Sequence, residues 1–127
     1  MKKIICMLIA VILLTIPCYA ADISSNTVFK SYNGETVSSI KNLNYADIEL
    51  KVTNSSNESR GIIITIALYR NNEILRIVKA KNPAFSGSTE KIYKTGMPLP
   101  KDKTNLKIKA FVTDYSNNML SGEMVLQ

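Results

Sequence analysis

The sequence predicts an all-β domain, an antiparallel sandwich of about seven strands behind a cleaved leader. Three observations carry that expectation. Apolar residues recur at every second position through most of the chain, and no stretch offers an amphipathic helical period. Clusters of Asn, Ser, Gly and Pro interrupt the alternation at short intervals. One segment, Gly61 to Arg70, is apolar and β-branched on both faces, as a central strand should be.

The elements follow in order. A first strand is expected near Thr27 to Ser31, ending at the turn Tyr32-Asn33-Gly34-Glu35, where Asn-Gly tolerates positive φ. Ala46 to Asn54 alternates, with Ile48, Leu50 and Val52 on one side and Asp47, Glu49, Lys51 and Thr53 on the other. Asn54 to Ser59 reads as a turn by composition. In the central strand Ile62, Ile64, Ile66 and Leu68 share one face, and Ile63, Thr65, Ala67 and Tyr69 the other, so cover is expected on both sides. Asn71-Asn72 turns the chain tightly into Glu73 to Lys81, whose register is open because Leu75 and Ile77 compete with Ile74 and Val78.

Asn82-Pro83-Ala84-Phe85-Ser86-Gly87 is expected to break the pattern before a short strand from Thr89 to Lys94. Gly96-Met97-Pro98-Leu99-Pro100 reads as a loop, because two close prolines disfavour a ladder. Asn105 to Asp114 turns Leu106, Ile108, Ala110 and Val112 inward and Lys107, Lys109 and Thr113 outward, with Phe111 on the outer face covering an edge. Asp114-Tyr115-Ser116-Asn117-Asn118 is a turn in which Asp114 can accept backbone N–H groups, and Leu120 to Leu126 is the last strand. The strand count is that of an immunoglobulin-like sandwich.

The leader is residues 1–20. Lys2 and Lys3 form a positive start, Ile4 to Ile16 an apolar run of 13 residues, and Pro17-Cys18-Tyr19-Ala20-Ala21 a helix breaker with small residues at −3 and −1 of a cut after Ala20. That is the anatomy of a secretory signal peptide, and the run is short for a permanent membrane span. The expected product is residues 21–127, one secreted, extracellular or cell-envelope domain without stable membrane insertion. Acylation of Cys18 is the alternative, but Pro17 before it is a poor match to that motif.

Composition removes several chemistries. Both cysteines, Cys6 and Cys18, lie in the leader, so the mature chain has no disulfide, and the sequence holds no His. Ser-His and Cys-His catalysis is therefore excluded, no metal or other cofactor is expected, and no calcium-loop motif is present. The full chain carries +6, and +4 once Lys2 and Lys3 are removed. The basic residues are spread as on a solvated sheet face, without the aromatic interleaving that marks a nucleic-acid surface. Richness in Asn, Lys and Ile points to an AT-rich bacterial genome, and an exported cysteine-free domain to a Gram-positive envelope.

Two segments carry a resemblance. Val52-Thr53-Asn54 with Ile64-Thr65-Ile66-Ala67-Leu68-Tyr69, and the run from Lys107 to Met119, resemble matching segments of immunoglobulin- or fibronectin-III-like accessory modules of secreted Gram-positive proteins. Thr113 stands where that pattern has Trp, and Leu120-Ser121 where it has Lys-Pro. The resemblance implies a non-catalytic module, and its matched residues are core and turn positions.

The remaining chemistry is sparse. Asp47 and Glu49 share a strand face about 7 Å apart, the spacing of an inverting glycosidase pair, but they read better as solvent-side charges. Asp114 reads as a turn residue. Sugar rings could stack on exposed aromatics, the candidates being Tyr32, Tyr45, Tyr93 and Tyr115 with Phe85 in a loop, Tyr115 first and Tyr32 second. Asn54-Ser55-Ser56 and Asn57-Glu58-Ser59 match glycosylation acceptors but read as turn sequence. The expected role is an interaction or structural module without enzymatic activity, its partner an extracellular protein or a cell-wall polysaccharide. A glycan-binding module is the alternative, with hydrolase or protease inhibition through the loop 95–104 behind it. N-terminal sequencing of exported protein is expected to start at Ala21, and a start at lipid-modified Cys18 would replace the secreted reading with a membrane-anchored one.

Overall fold

The structure, a computed structural model, describes residues 22–127. The leader, the cut after Ala20 and Cys18 lie outside these residues. Seven strands are present: β1 (Ile23–Lys30), β2 (Tyr45–Asn54), β3 (Arg60–Arg70), β4 (Glu73–Phe85), β5 (Thr89–Pro98), β6 (Leu106–Thr113) and β7 (Met124–Leu126). They form two antiparallel sheets, β1-β2-β5 and β4-β3-β6-β7, packed as a sandwich.

Period-two alternation builds the core. Ile48, Leu50 and Val52 of one sheet meet Ile62, Ile64, Ile66, Leu68, Ile108 and Val112 of the other, all buried. Ile40, in the irregular segment between β1 and β2, closes one end, where its N–H donates to the Gln127 carbonyl. The β3–β4 hairpin turns on Asn71 and Asn72, both at positive φ (50° and 67°), the pair that a two-residue hairpin with right-handed twist needs.

Asn54, the last residue of β2, is fully buried. Its amide nitrogen donates to the carbonyls of Glu58 (2.9 Å) and Phe85 (3.2 Å), and its Oδ1 accepts from the Ser56 N–H (3.1 Å) and hydroxyl (2.8 Å). One side chain thus closes the crossing from β2 to β3 and ties the end of β4 to it.

Several boundaries differ from the sequence expectation. β1 starts at Ile23, because Ser25 is held by Ser121 (2.7 Å) and Thr27 and Phe29 face the core. β4 runs on through Asn82-Pro83 to Phe85. It is an edge strand, where a missing N–H costs no second ladder, and the irregularity between Ile62 and Arg60 takes up the proline. β5 likewise continues through Gly96-Met97-Pro98 instead of forming a loop. Met97 is buried, and Pro98 pairs with Tyr45 on an edge. The register of β4 resolves into a bulge: Tyr69 opposes Ile74 and Leu68 opposes Arg76, leaving Leu75 as the extra residue. Phe111 does face outward, but from interior strand β6, so it covers no edge. β7 is confined to Met124–Leu126, with Met119 joined to Thr113 by a single bridge.

Truncating Ile108 to Ala is expected to cost about 2–5 kcal/mol, whereas Lys107→Ala, on the opposite face, should stay within about 0.5 kcal/mol. Asn54→Ala should rival Ile108→Ala, since each buried group left unpaired costs about 1–3 kcal/mol. Urea melts check the order, and equal losses for Ile108→Ala and Lys107→Ala would overturn the register.

Candidate functional site

The two outer sheet faces differ in kind. On β1-β2-β5 the outward residues of β2 are Tyr45, Asp47, Glu49, Lys51 and Thr53, and of their charges Glu49 and Lys51 are ion-paired. Lys30 and Lys94 pair with Glu49 (3.1 and 3.6 Å), and Lys51 with Glu90 (3.5 Å). The hydrogen bond from Lys30, with the nearby charges of Lys30 and Lys94, holds the Glu49 carboxyl below its ordinary range. Glu49 is thus held as a surface carboxylate between two lysines.

On β4-β3-β6-β7 the second face of β3 has no layer over it among the described residues. The register places Ile63, Thr65, Ala67 and Tyr69 in its middle, with Ile74 and Ile77 of β4 on one flank and Phe111 of β6 on the other. The bulge at Leu75 is what sets Ile74 and Ile77, three residues apart, on one face. Ile63, Thr65 and Ala67 are buried beneath their neighbours, whereas Ile74 (53%), Ile77 (44%) and Met119 (51%) stand exposed at the margin. The result is a trough of roughly 290 Å³ with a mixed lining, in which Thr65, Tyr69, Lys79, Thr113 and Asn117 stand among the apolar side chains. Lys107 and Lys109 rise on the β6 side; Lys109 lies 5.1 Å over the Tyr69 ring and 3.4 Å from Glu123. Lys79, Lys81 and Lys107 have no ion-pair partner among the described residues.

The tyrosines singled out in the sequence stand far apart. Tyr32 follows β1, whose end pairs with the start of β2; Tyr115 follows β6, whose end pairs with the start of β3. β2 leads directly into β3, so these are opposite ends of the sandwich. Tyr32 is 82% exposed and edge-on to Tyr45, with ring centroids 6.3 Å apart. Tyr115 is about half exposed and lies on the β3 backbone at Gly61, where a Cβ would come within 2.8 Å of its ring. Asp114 holds that turn: its Oδ1 accepts the N–H groups of Ser116 (2.8 Å) and Asn118 (2.9 Å), and its Oδ2 the Asn118 side-chain amide (3.1 Å). Asn54 of the first glycosylation-like triplet is buried with its amide fully engaged.

Among the described residues, no group of three or more His, Cys, Asp or Glu side chains gathers as a metal site. No family model and no curated protein matches the chain.

The Asn118 backbone N–H, then its side-chain amide, then Ser116 N–H and the Arg60 charge, hold the Asp114 carboxyl below its ordinary 3.8. A depressed folded pKa contributes stability above the unfolded value and loses it as pH falls through the folded one. Asp114→Asn should therefore lower the urea midpoint at about pH 7, with the difference from wild type closing below pH 3.8. A difference that widens on acidification would refute the turn's role.

Proposed function

We propose that the chain is an exported, non-catalytic interaction module of the extracellular space or cell envelope, docking a protein partner on the outer face of β4-β3-β6. The observation that carries the reading is the contrast between the two sheet faces. One carries the ion-paired Lys30, Glu49, Lys51, Glu90 and Lys94 around a single exposed Ile92, while the other exposes Ile74, Ile77 and Met119 around a trough of mixed apolar and polar lining, and exposed apolar residues rimmed by polar groups mark an interaction site. The leader-like residues 1–20 support export. An immunoglobulin- or fibronectin-III-like module is supported by strand order: β4 lies beside β3, as an extra strand does on the corresponding sheet of variable-type immunoglobulin sandwiches. The glycan alternative has less support, because Tyr32 and Tyr115 cannot share one ligand across the length of the sandwich.

A photo-crosslinking residue at Ile77, in protein exported by the producing cells, is expected to give discrete protein adducts. The same residue at Lys51, on the paired-charge face, is expected to give none. Adducts from Lys51 alone would move the docking face to the other sheet.

A further inference from the structure

A sheet edge is a row of unpaired N–H and C=O groups, and folded chains guard it against pairing with another chain. Three of the four edges here are guarded. Along β1 the backbone is covered, since Ile23 and Thr27 are buried and the Phe29 carbonyl accepts the Val37 N–H. β7 is only three residues long. β4 carries the Leu75 bulge, Lys79, Lys81 and Pro83. β5 is the exception. Its register against β2 runs from Thr89 to Pro98 without a shift, and Glu90, Lys91, Ile92 and Lys94 are all exposed.

One bond shows which groups β5 leaves unpaired. The Leu99 N–H donates to the Asn44 carbonyl, one step beyond the pairing of Tyr45 with Pro98, so Asn44 and Leu99 form a hydrogen-bonded pair of the ladder. Such pairs alternate, and the next are Ala46 with Met97, Ile48 with Thr95, Leu50 with Tyr93 and Val52 with Lys91. Glu90, Ile92 and Lys94 therefore turn their N–H and C=O groups to the open side. Their side chains share the outer face, where Ile92 is 49% exposed between the two charges.

The charge order along this edge is its own complement. When two β5 strands pair antiparallel about a two-fold axis at Ile92, Ile92 faces its mate, Glu90 faces Lys94 of the second copy, and Lys94 faces Glu90. On the inner face Lys91 meets Tyr93 of the second copy, the ring that it already covers at 5.2 Å within one chain. Other registers lose this match. An axis at Lys91 sets that lysine against itself, and one at Tyr93 leaves Glu90 opposite Gly96 and Lys94 opposite Ile92. Axes at Glu90 or Lys94 set like charges face to face. Glu90 also lies 3.5 Å from Lys51, and Lys94 3.6 Å from Glu49, so the pairing continues a row of alternating sign across both chains.

We propose, independently of the docking face above, that the chain pairs with a second copy of itself through β5, joining two three-stranded sheets into one continuous sheet about a two-fold axis at Ile92. A foreign strand would have to reproduce the order Glu90, Ile92, Lys94, which a second copy already carries. The seam leaves the outer face of β4-β3-β6 open, and Lys51 stands one strand in from it, behind Ile92 of the same chain. Seam and docking face therefore stand or fail separately.

Sedimentation of residues 21–127 is expected to show a monomer–dimer equilibrium that shifts to dimer with concentration. Glu90→Lys puts a lysine opposite Lys94, and Lys94→Glu a glutamate opposite Glu90, so each should weaken self-association about tenfold. Mixed together, the two variants present opposite charges at both pairs and should form a hybrid dimer as tight as the native one, a result that misfolding of either cannot give. Residues 21–127 hold no cysteine. Ile92→Cys thus brings one thiol to the axis, where paired Cα atoms stand about 5.5 Å apart, within disulfide reach. Mild oxidation should link Ile92→Cys into a covalent dimer and leave Ile77→Cys monomeric. A chain that stays monomeric at millimolar concentration, a dimer indifferent to both charge changes, a mixture no tighter than either variant alone, or a covalent dimer from Ile77→Cys in place of Ile92→Cys overturns the pairing.

Discussion

The amide of Asn54 is the point on which the two sheets depend for their connection. A sandwich must carry its chain from one layer to the other, and each crossing exposes backbone groups that no ladder satisfies. Here the crossing after β2 and the end of β4 converge on one buried side chain, which donates to Glu58 and Phe85 carbonyls and accepts twice from Ser56. An amide suits the position because it offers donors and acceptors together. Asp would lack the donors, and an apolar residue would take the side-chain partner from the Phe85 carbonyl and the Ser56 N–H, leaving the Ser56 hydroxyl and Glu58 carbonyl only each other. Phe85, whose carbonyl is held this way, is itself buried in the core, so the polar anchor and the apolar packing fix the same strand end.

What the alternation revealed, and what it concealed, follows from how each strand is paired. β2 and the inward face of β6 are legible at sight: Ala46, Ile48, Leu50 and Val52 alternate with Asp47, Glu49, Lys51 and Thr53, and Leu106, Ile108, Ala110 and Val112 recur at every second position. The edge strands are harder. Proline and glycine argue against a ladder only where both sides of a strand must pair, and β4 and β5 each leave one side open. β4 also hides its period behind the bulge at Leu75, which makes Ile74 and Ile77 neighbours on a face where strict alternation forbids it. No count of apolar residues could choose between the two registers, since the bulge uses both.

The outer face of β3 is legible in part, and for a physical reason only in part. The second face of β3, Ile63-x-Thr65-x-Ala67-x-Tyr69, does signal cover, as a doubly apolar strand should. The structure bears this out, since residues 62–68 are buried on both sides of β3, with the second face covered by flanking side chains of the same sheet and by no further layer among the described residues. Tyr115 and Tyr32 are conspicuous aromatic rings in the sequence, yet one is pressed on Gly61 and the other leans on Tyr45. An unpartnered face made of ordinary aliphatic residues has no motif. It is found only once register shows which residues share it.

Thr113 adds a last step. It lies on the outer face, paired with Ile63 on one side and bridged to Met119 on the other, and is itself buried among the residues that line the trough. The core face of the same strand, Ile108, Ala110 and Val112, packs as any sandwich requires, so β6 is buried on both faces at this end although only one of them meets the other sheet.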